Sequence, residues 1–331
     1  MIPLLLAAAA AAAPGGPGPS DVKVFTDWAV ACDNGKRCEA VAMIPDSAQS
    51  NVGLWLRREA GPAGAVTIHV RWPGGATGAE ALIVDGKRFA MASTGDDVIA
   101  TGAEALDIAR ALAGATGASA VAGTVAQPVS THGSAAAMRY MDAAQGRAGT
   151  VTALVATGPA AAAAVPPAPP LPVIMAGPVT RRPALRPAAA MVAAMRGQSQ
   201  CAADDDMSPS ADSYPLDGQR SLVLLSCGAG AYNANFVPYL LTGKGFALAR
   251  FDAATGESDD PAAGAALTNA SIDGDGILSS FAKGRGIGDC GVSQRFAWDG
   301  ARFRLIEQTE LGECRGGIAW PTTWRARITR R

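Results

Sequence analysis

Six cysteines constrain this chain more than any other feature: Cys32, Cys38, Cys201, Cys227, Cys290 and Cys314. They fall into three sequential pairs, each within one stretch of alternating, strand-like sequence. Neighbours across a hairpin or on adjacent strands meet the Cα spacing a disulfide demands. The expected bridges are therefore 32–38, 201–227 and 290–314. Zinc is the rival, and its usual signature is two close pairs such as CxxC. No pair here has that spacing, and His69 and His132 are isolated. No metal or cofactor is expected. Closing the short loop is worth about 2 kcal/mol and each longer one about 3.5 kcal/mol on the chain-entropy model. Paired cysteines imply an oxidising compartment.

The start of the chain points the same way. Residues 1–13 are apolar apart from Pro3, and Pro14-Gly15-Gly16-Pro17-Gly18-Pro19 follow. The run is shorter than the roughly 20 residues a bilayer span needs, and it fits the apolar core of a signal peptide. It departs from that pattern in having no Lys or Arg before Leu4. Residues 1–19 are expected to be a signal peptide and leader. The mature chain is expected to be periplasmic, with no membrane span.

The 331 residues suggest two domains. The stretch 159–187 holds nine of the 22 prolines, including Val165-Pro166-Pro167-Ala168-Pro169-Pro170-Leu171-Pro172. Such density forbids an ordinary helix and reads as a semi-rigid linker. It divides a domain over 20–158 from one over 188–331. Both are nearly neutral, with 11 basic and 13 acidic side chains in the first and 14 and 16 in the second. A net charge of −1 argues against a nucleic-acid binder.

The first domain reads as α+β. Strand-like runs lie near 24–31, 38–44, 52–58 and 65–72. In the last, Val66, Ile68 and Val70 alternate with Thr67, His69 and Arg71. Asp33-Asn34-Gly35 and Asp85-Gly86 supply turn chemistry. Helices are expected over 104–113 and 134–145, the second capped by Ser134 and stopped by Gly146. A strand is expected over 150–157. The second domain opens with a helix over 188–196. It then reads as mainly antiparallel β, with strands at 220–227, 236–242, 246–251, 277–282, 292–298, 302–309 and 323–329. Asp299-Gly300 makes a hairpin.

The cysteines and their surroundings resemble the DUF1176 family of uncharacterised exported proteobacterial proteins. The segments are Phe25-x-Asp27-Trp28…Cys32-Asp33-Asn34…Cys38-Glu39-Ala40, Arg58-Glu59-Ala60-Gly61-Pro62 and Gly133-Ser134-Ala135-Ala136-Ala137…Met141-Asp142…Gln145-Gly146-Arg147. They continue as Cys227-x-x-Gly230-Ala231-Tyr232-Asn233, Gly284-Arg285-Gly286-x-Gly288-Asp289-Cys290-Gly291, Trp298-Asp299-Gly300 and Cys314-Arg315-Gly316. The resemblance implies export and a chain of about this length, and it implies no activity. The Phe25…Cys32 segment alone also resembles the invasion-associated locus B family.

Chemistry-bearing constellations are few. Ser130 and Ser134 flank His132, with Asp142 downstream, but no nucleophile elbow is present. Asp142, Gln145 and Arg147 read as a structural cluster tying the helix to the next strand. The Gly284–Gly288 run reads as a tight turn, with Arg285 as a candidate anion contact. Asp273-Gly274-Asp275-Gly276 lacks the later Glu of an EF-hand, and Asp204-Asp205-Asp206 reads as a solvated loop. Residues 295–331 hold eight arginines against four acids, while 201–260 hold nine acids against three bases. These stretches are expected to neutralise one another. The alternative is a binding face for an anionic envelope glycan or protein partner, built from Arg302 and Arg304 with Trp320 and Trp324. The leading functional reading is a non-enzymatic envelope binding or scaffolding protein. The alternative is a cell-wall or glycan-acting hydrolase or transferase.

Overall fold

The computed structural model of the protein describes residues 18–45, 50, 52–72, 80–94, 97–199, 201, 210–255, 266–317 and 319–330. Residues 1–17 of the expected leader and Asp204-Asp205-Asp206 lie outside the described residues. The described chain is mostly antiparallel β-sheet, with three short α-helices and three disulfides. No helix among the described residues is long and apolar enough to cross a membrane.

The first half runs β1 (Lys23–Phe25), β2 (Trp28–Cys32), β3 (Cys38–Ala42), β4 (Gly53–Arg58), β5 (Val66–Arg71), β6 (Glu80–Val84), β7 (Lys87–Ala90), β8 (Ala92–Thr94), β9 (Asp97–Thr101), α1 (Gly102–Gly114), β10 (Ala118–Ala122), β11 (Val125–Val129) and α2 (Ser134–Ala144). Seven strands form one antiparallel sheet in the order β1-β2-β3-β4-β5-β9-β8, and four more pair as β11-β10-β6-β7. Asp33 shapes the β2–β3 hairpin: its Oδ1 accepts from the N–H groups of Gly35 (2.8 Å) and Arg37 (3.1 Å). Cys32 then sits directly opposite Cys38, and the two are bridged. In β5 the alternation predicted from sequence buries Val66, Ile68 and Val70. With Cys38, Ala40, Leu54 and Leu56 they make an inner face that packs with Ile108 and Leu112 of α1 and Met138 and Met141 of α2.

Helix α2 departs from its expected start. Gly133 is the cap, at φ 98°, and a Cβ there would lie 1.8 Å from the Phe25 carbonyl oxygen, so no larger residue fits. Ser134 is the first helical residue, and its hydroxyl donates to the Leu112 carbonyl at 2.7 Å. The strand expected over 150–157 is a tight loop instead. The N–H groups of Leu154, Val155 and Ala156 donate to the Asp142 carboxylate at 2.8, 2.9 and 3.0 Å, which takes the place of a partner strand.

The second half runs β12 (Val173–Ala176), α3 (Ala189–Ser199), β13 (Ala211–Pro215), β14 (Ser221–Ala229), β15 (Ala234–Thr242), β16 (Gly245–Leu248), β17 (Leu267–Thr268), β18 (Ser271–Ile272), β19 (Ile277–Lys283), β20 (Gly291–Trp298), β21 (Phe303–Leu311), β22 (Thr322–Arg325) and β23 (Arg327–Arg330). One sheet is ordered β13-β14-β15-β16, with β17 added to β15, and another is ordered β18-β19-β20-β21-β22. Strand β14 is buried on both faces. Leu222 and Leu224 meet Phe296, Phe303 and Leu305, while Val223 and Leu225 meet Met195 of α3. Bridges join Cys201 to Cys227 and Cys290 to Cys314.

The proline-rich stretch is packed at several points. Val165 is buried, and β12 pairs in parallel with β23. That pairing sends Ile174 and Ala176 against Ile277, Ala297 and Ile306. The two halves also meet directly. Ala29 on the outer face of β2 packs with Met43 and Leu311. Thr322 donates its N–H and hydroxyl to Glu39 Oε2 at 2.8 and 2.7 Å. Asn34 and the Arg325 backbone exchange hydrogen bonds of 2.9 and 2.8 Å.

Candidate functional site

Strand parity builds the site. Glu39 and Val41 of β3 and Trp55 and Arg57 of β4 point away from the core-facing residues that alternate with them, and Glu39 stands directly opposite Arg57. In the second half, Phe281, Ser293 and Thr309 lie in register across β19, β20 and β21. The two sheet faces border an open cleft of about 470 Å³, lined also by Arg37, Glu307, Trp320 and Thr322. Phe281 and Trp320 form an aromatic wall, their ring centroids 5.1 Å apart. Trp55 is braced from behind: His69 stacks on it at 4.8 Å, and Arg71 lies over the ring at 5.2 Å.

Glu39 is the electrostatic centre. Burial opposes its ionisation, but the Arg37 and Arg57 guanidiniums and the Thr322 hydrogen bonds outweigh burial and hold its pKa below the ordinary carboxylate value. Arg57 Nε donates to Glu39 Oε1 at 2.6 Å, and Arg37 Nη2 donates to Thr322 Oγ1 at 2.9 Å. Burial lowers the Arg37 pKa, and its Nε is buried without a hydrogen bond among the described residues. An ion-paired Glu39 has no proton to give and is a weak base. A second carboxylate, Glu307, lines the same cleft 3.7 Å from Arg295.

The residues singled out from sequence are dispersed. Arg304 is held by Asp252 and Asp299, and Asp252 belongs to the acidic 201–260 stretch. Arg302 is exposed. Trp324 donates its indole N–H to the Leu305 carbonyl and packs against the β14–β21 core. Arg302, Arg304, Trp320 and Trp324 thus make no common cationic face, because Arg304 is neutralised and Trp324 is turned inward; only Trp320 reaches the cleft. Arg285 pairs with Asp289, whose carboxylate also accepts from the Gly316 N–H at 2.6 Å. Hydrogen bonding from Arg285 lowers the Asp289 pKa despite burial.

Ser130, His132 and Asp142 form no relay. Ser130 donates straight to Asp27 at 2.6 Å, and His132, largely exposed, lies 4.0 Å from the same carboxylate. Arg315 of the second half also engages Asp27. Burial raises the Asp27 pKa, but the Ser130 and Arg315 hydrogen bonds more than offset it, and the net shift is downward. Asp142 is fully buried and occupied by backbone N–H groups. Among the described residues no three His, Cys, Asp or Glu side chains gather as a metal site requires.

Arg37, Glu39, Trp55 and Arg57 were not evident as a site from sequence, because they belong to the first half and their partners to the second. One signal was present: Glu39 interrupts the otherwise apolar run Cys38–Ala42, and a buried carboxylate demands partners.

Comparison with known proteins agrees with the family resemblance. The chain is 28% identical over 334 residues to the uncharacterized protein YpfG of Escherichia coli (strain K12), covering 92% of this chain and 93% of that one. The crystal structure of invasion associated protein b from Bartonella henselae aligns over 38% of this chain and 99% of that chain, at 18% identity and a TM-score of 0.30. The model of the family described as "Protein of unknown function (DUF1176)" matches residues 22–327, and the chain belongs to that family.

Proposed function

We propose that the protein is an exported, periplasmic, non-enzymatic binding protein, and that the cleft between its two halves is the binding site. The halves are an α+β domain over 20–158 and a mainly β domain over 188–331, joined by 159–187. The three disulfides support a compartment where thiols stay oxidised. One observation carries the binding reading: the cleft combines an aromatic wall with a carboxylate, Glu39, that is fixed in its ionised form. A hydrolase needs a group poised to deliver or take a proton.

The test incubates the full chain with isolated cell-wall and glycan material and follows both retention and released products. Retention without released fragments, weakened by Trp320→Ala, is the expected outcome. Steady release of soluble fragments would contradict the proposal and favour a hydrolase.

A further inference from the structure

We infer that the cleft takes a carboxylated sugar, a unit of the hexuronic-acid type, with its carboxylate on Arg57 and Arg37 and its ring against Phe281 and Trp320. The inference rests on the reading of the cleft as a binding site and adds the class of ligand.

Charge is the first argument. Glu307 lines the cleft and pairs with Arg295 at 3.7 Å; at the cleft base, Arg37, Arg57 and Arg325 surround Asp33 and Glu39. The oxygens of Asp33 and Glu39 are already engaged. Asp33 accepts from Gly35, Arg37 and Arg325, and Glu39 accepts from Arg57 and Thr322. Arg57 is about one-third exposed, and only its Nε hydrogen-bonds to the described residues. Arg37 Nε is buried, makes no hydrogen bond to the described residues, and lies 3.6 Å from Asp33 Oδ2. A guanidinium presents its N–H groups in a planar fork that a carboxylate matches. A ligand carboxylate would take the Arg57 N–H groups that Glu39 leaves free.

The walls supply the second argument. The paired Phe281 and Trp320 rings offer an apolar face that suits the C–H face of a sugar ring. The Ser293 and Thr309 hydroxyls line the same cleft and make no side-chain hydrogen bond to the described residues. They are donors and acceptors for ring hydroxyls. The volume, about 470 Å³, lies within the range of small-ligand sites, roughly 300–1,000 Å³. A small anion without a ring would leave the aromatic wall empty, and a neutral sugar would bring no carboxylate to the Arg57 N–H groups that Glu39 does not engage.

The test is calorimetric titration of the full chain with D-glucuronate, D-glucose and inorganic phosphate at matched ionic strength. Glucuronate is expected to bind saturably and glucose at least about ten-fold more weakly. Arg57→Gln and Trp320→Ala should each weaken glucuronate at least about ten-fold (one tenfold step is about 1.4 kcal/mol). Ser293→Ala should weaken it less, and Arg57→Gln, which also unpairs the buried Glu39, is titrated below its own melting temperature. Glucose binding as tightly as glucuronate, or phosphate binding that ignores Trp320→Ala, overturns the sugar-acid assignment while leaving the cleft a binding site. Absence of saturable binding by all three probes also overturns it. The separate retention experiment then decides whether the binding reading stands.

Discussion

The Asp142–Gln145–Arg147 cluster and the Arg37–Glu39–Arg57 cluster are made of the same kinds of groups, yet their hydrogen bonding differs. Arg147 is fully buried. Its Nε donates to Gln145 Oε1 at 2.7 Å, Nη1 to Thr152 Oγ1 at 3.1 Å, and Nη2 to the Gly61 carbonyl at 2.5 Å. Gln145 in turn donates to the Lys36 and Arg58 carbonyls at 2.7 and 3.0 Å. This cluster is closed: each member holds backbone from another part of the chain, and nothing is left for a ligand. In the cleft, Arg37 Nε has no hydrogen bond to the described residues, and Arg57 hydrogen-bonds to them only through Nε. A saturated polar cluster supports the fold; an unsaturated one that lines a cavity is equipped to bind. Arg58 separates the two conditions. It is buried, its Nε and Nη1 have no hydrogen bond, and it does not line the cleft. Burial, and then the neighbouring Arg147 charge, push its pKa down to about 10.

The largest expected effect is on the closed cluster. Arg147→Met removes the guanidinium from a fully buried network and leaves Gln145 Oε1 without its donor, while the Gly61 and Glu59 carbonyls keep only their bonds from the Gly64 N–H at 3.0 Å and Gln145 at 3.4 Å. Such losses cost about 3–5 kcal/mol, which urea unfolding would register as a lower midpoint. A midpoint near that of the unmodified protein would break the comparison. Asp142→Ala comes next: it leaves three N–H groups of the 154–156 loop without their acceptor, at a cost of about 1–3 kcal/mol. Arg58→Met should go the other way, neutral or stabilising by about 1 kcal/mol, because its buried Nε and Nη1 make no hydrogen bond to the described residues. A loss as large as that at Arg147 would mean that Arg58 has an important partner.

Smaller effects sharpen the picture of the cleft. His69 lies behind Trp55. Burial, then the Arg57 charge, lower its pKa below the ordinary histidine value, with Asp97 pulling the other way. Its folded-state pKa lies below its unfolded value, so protonation favours unfolding. The stability it contributes is complete above about pH 6.5 and is lost as pH falls through the depressed folded pKa. His69→Gln should flatten the slope of stability against pH between about 7 and 5; an unchanged slope would place the pH dependence elsewhere. In the connecting stretch, Arg181 is exposed, whereas Val165, Ile174 and Ala176 are buried. Trypsin should cut after Arg181, since Arg182 and Arg186 each precede proline. The two fragments should elute together in gel filtration, held by the β12–β23 pairing and the contacts of Asp33, Asn34 and Glu39 with 322–325. Separate elution would show that those contacts do not hold the halves together.

Much of the strand pattern was legible because one-sided burial leaves a period of two, as in β5. Strands β2 and β3 are buried throughout, and no periodicity says that a distant segment covers their outer face. The loop over 150–157 reads as a strand in sequence because a carboxylate, rather than a neighbouring strand, satisfies its backbone. Arg304 was readable as a charge, but its partner Asp252 is 52 residues away, and only the fold brings them together. The cleft was hidden for the same reason: Glu39 and Thr322 are 283 residues apart.

The most direct test follows three side-chain signals in one NMR titration of the full chain with D-glucuronate: the Trp320 indole N–H, the Arg57 Nε–H and the Arg147 Nε–H. The Trp320 and Arg57 signals are expected to move together and saturate at one ligand per chain, while the Arg147 signal stays where it is. Saturable movement of Arg147, with Trp320 and Arg57 unmoved, would contradict the division between a closed cluster that supports the fold and an open one that binds.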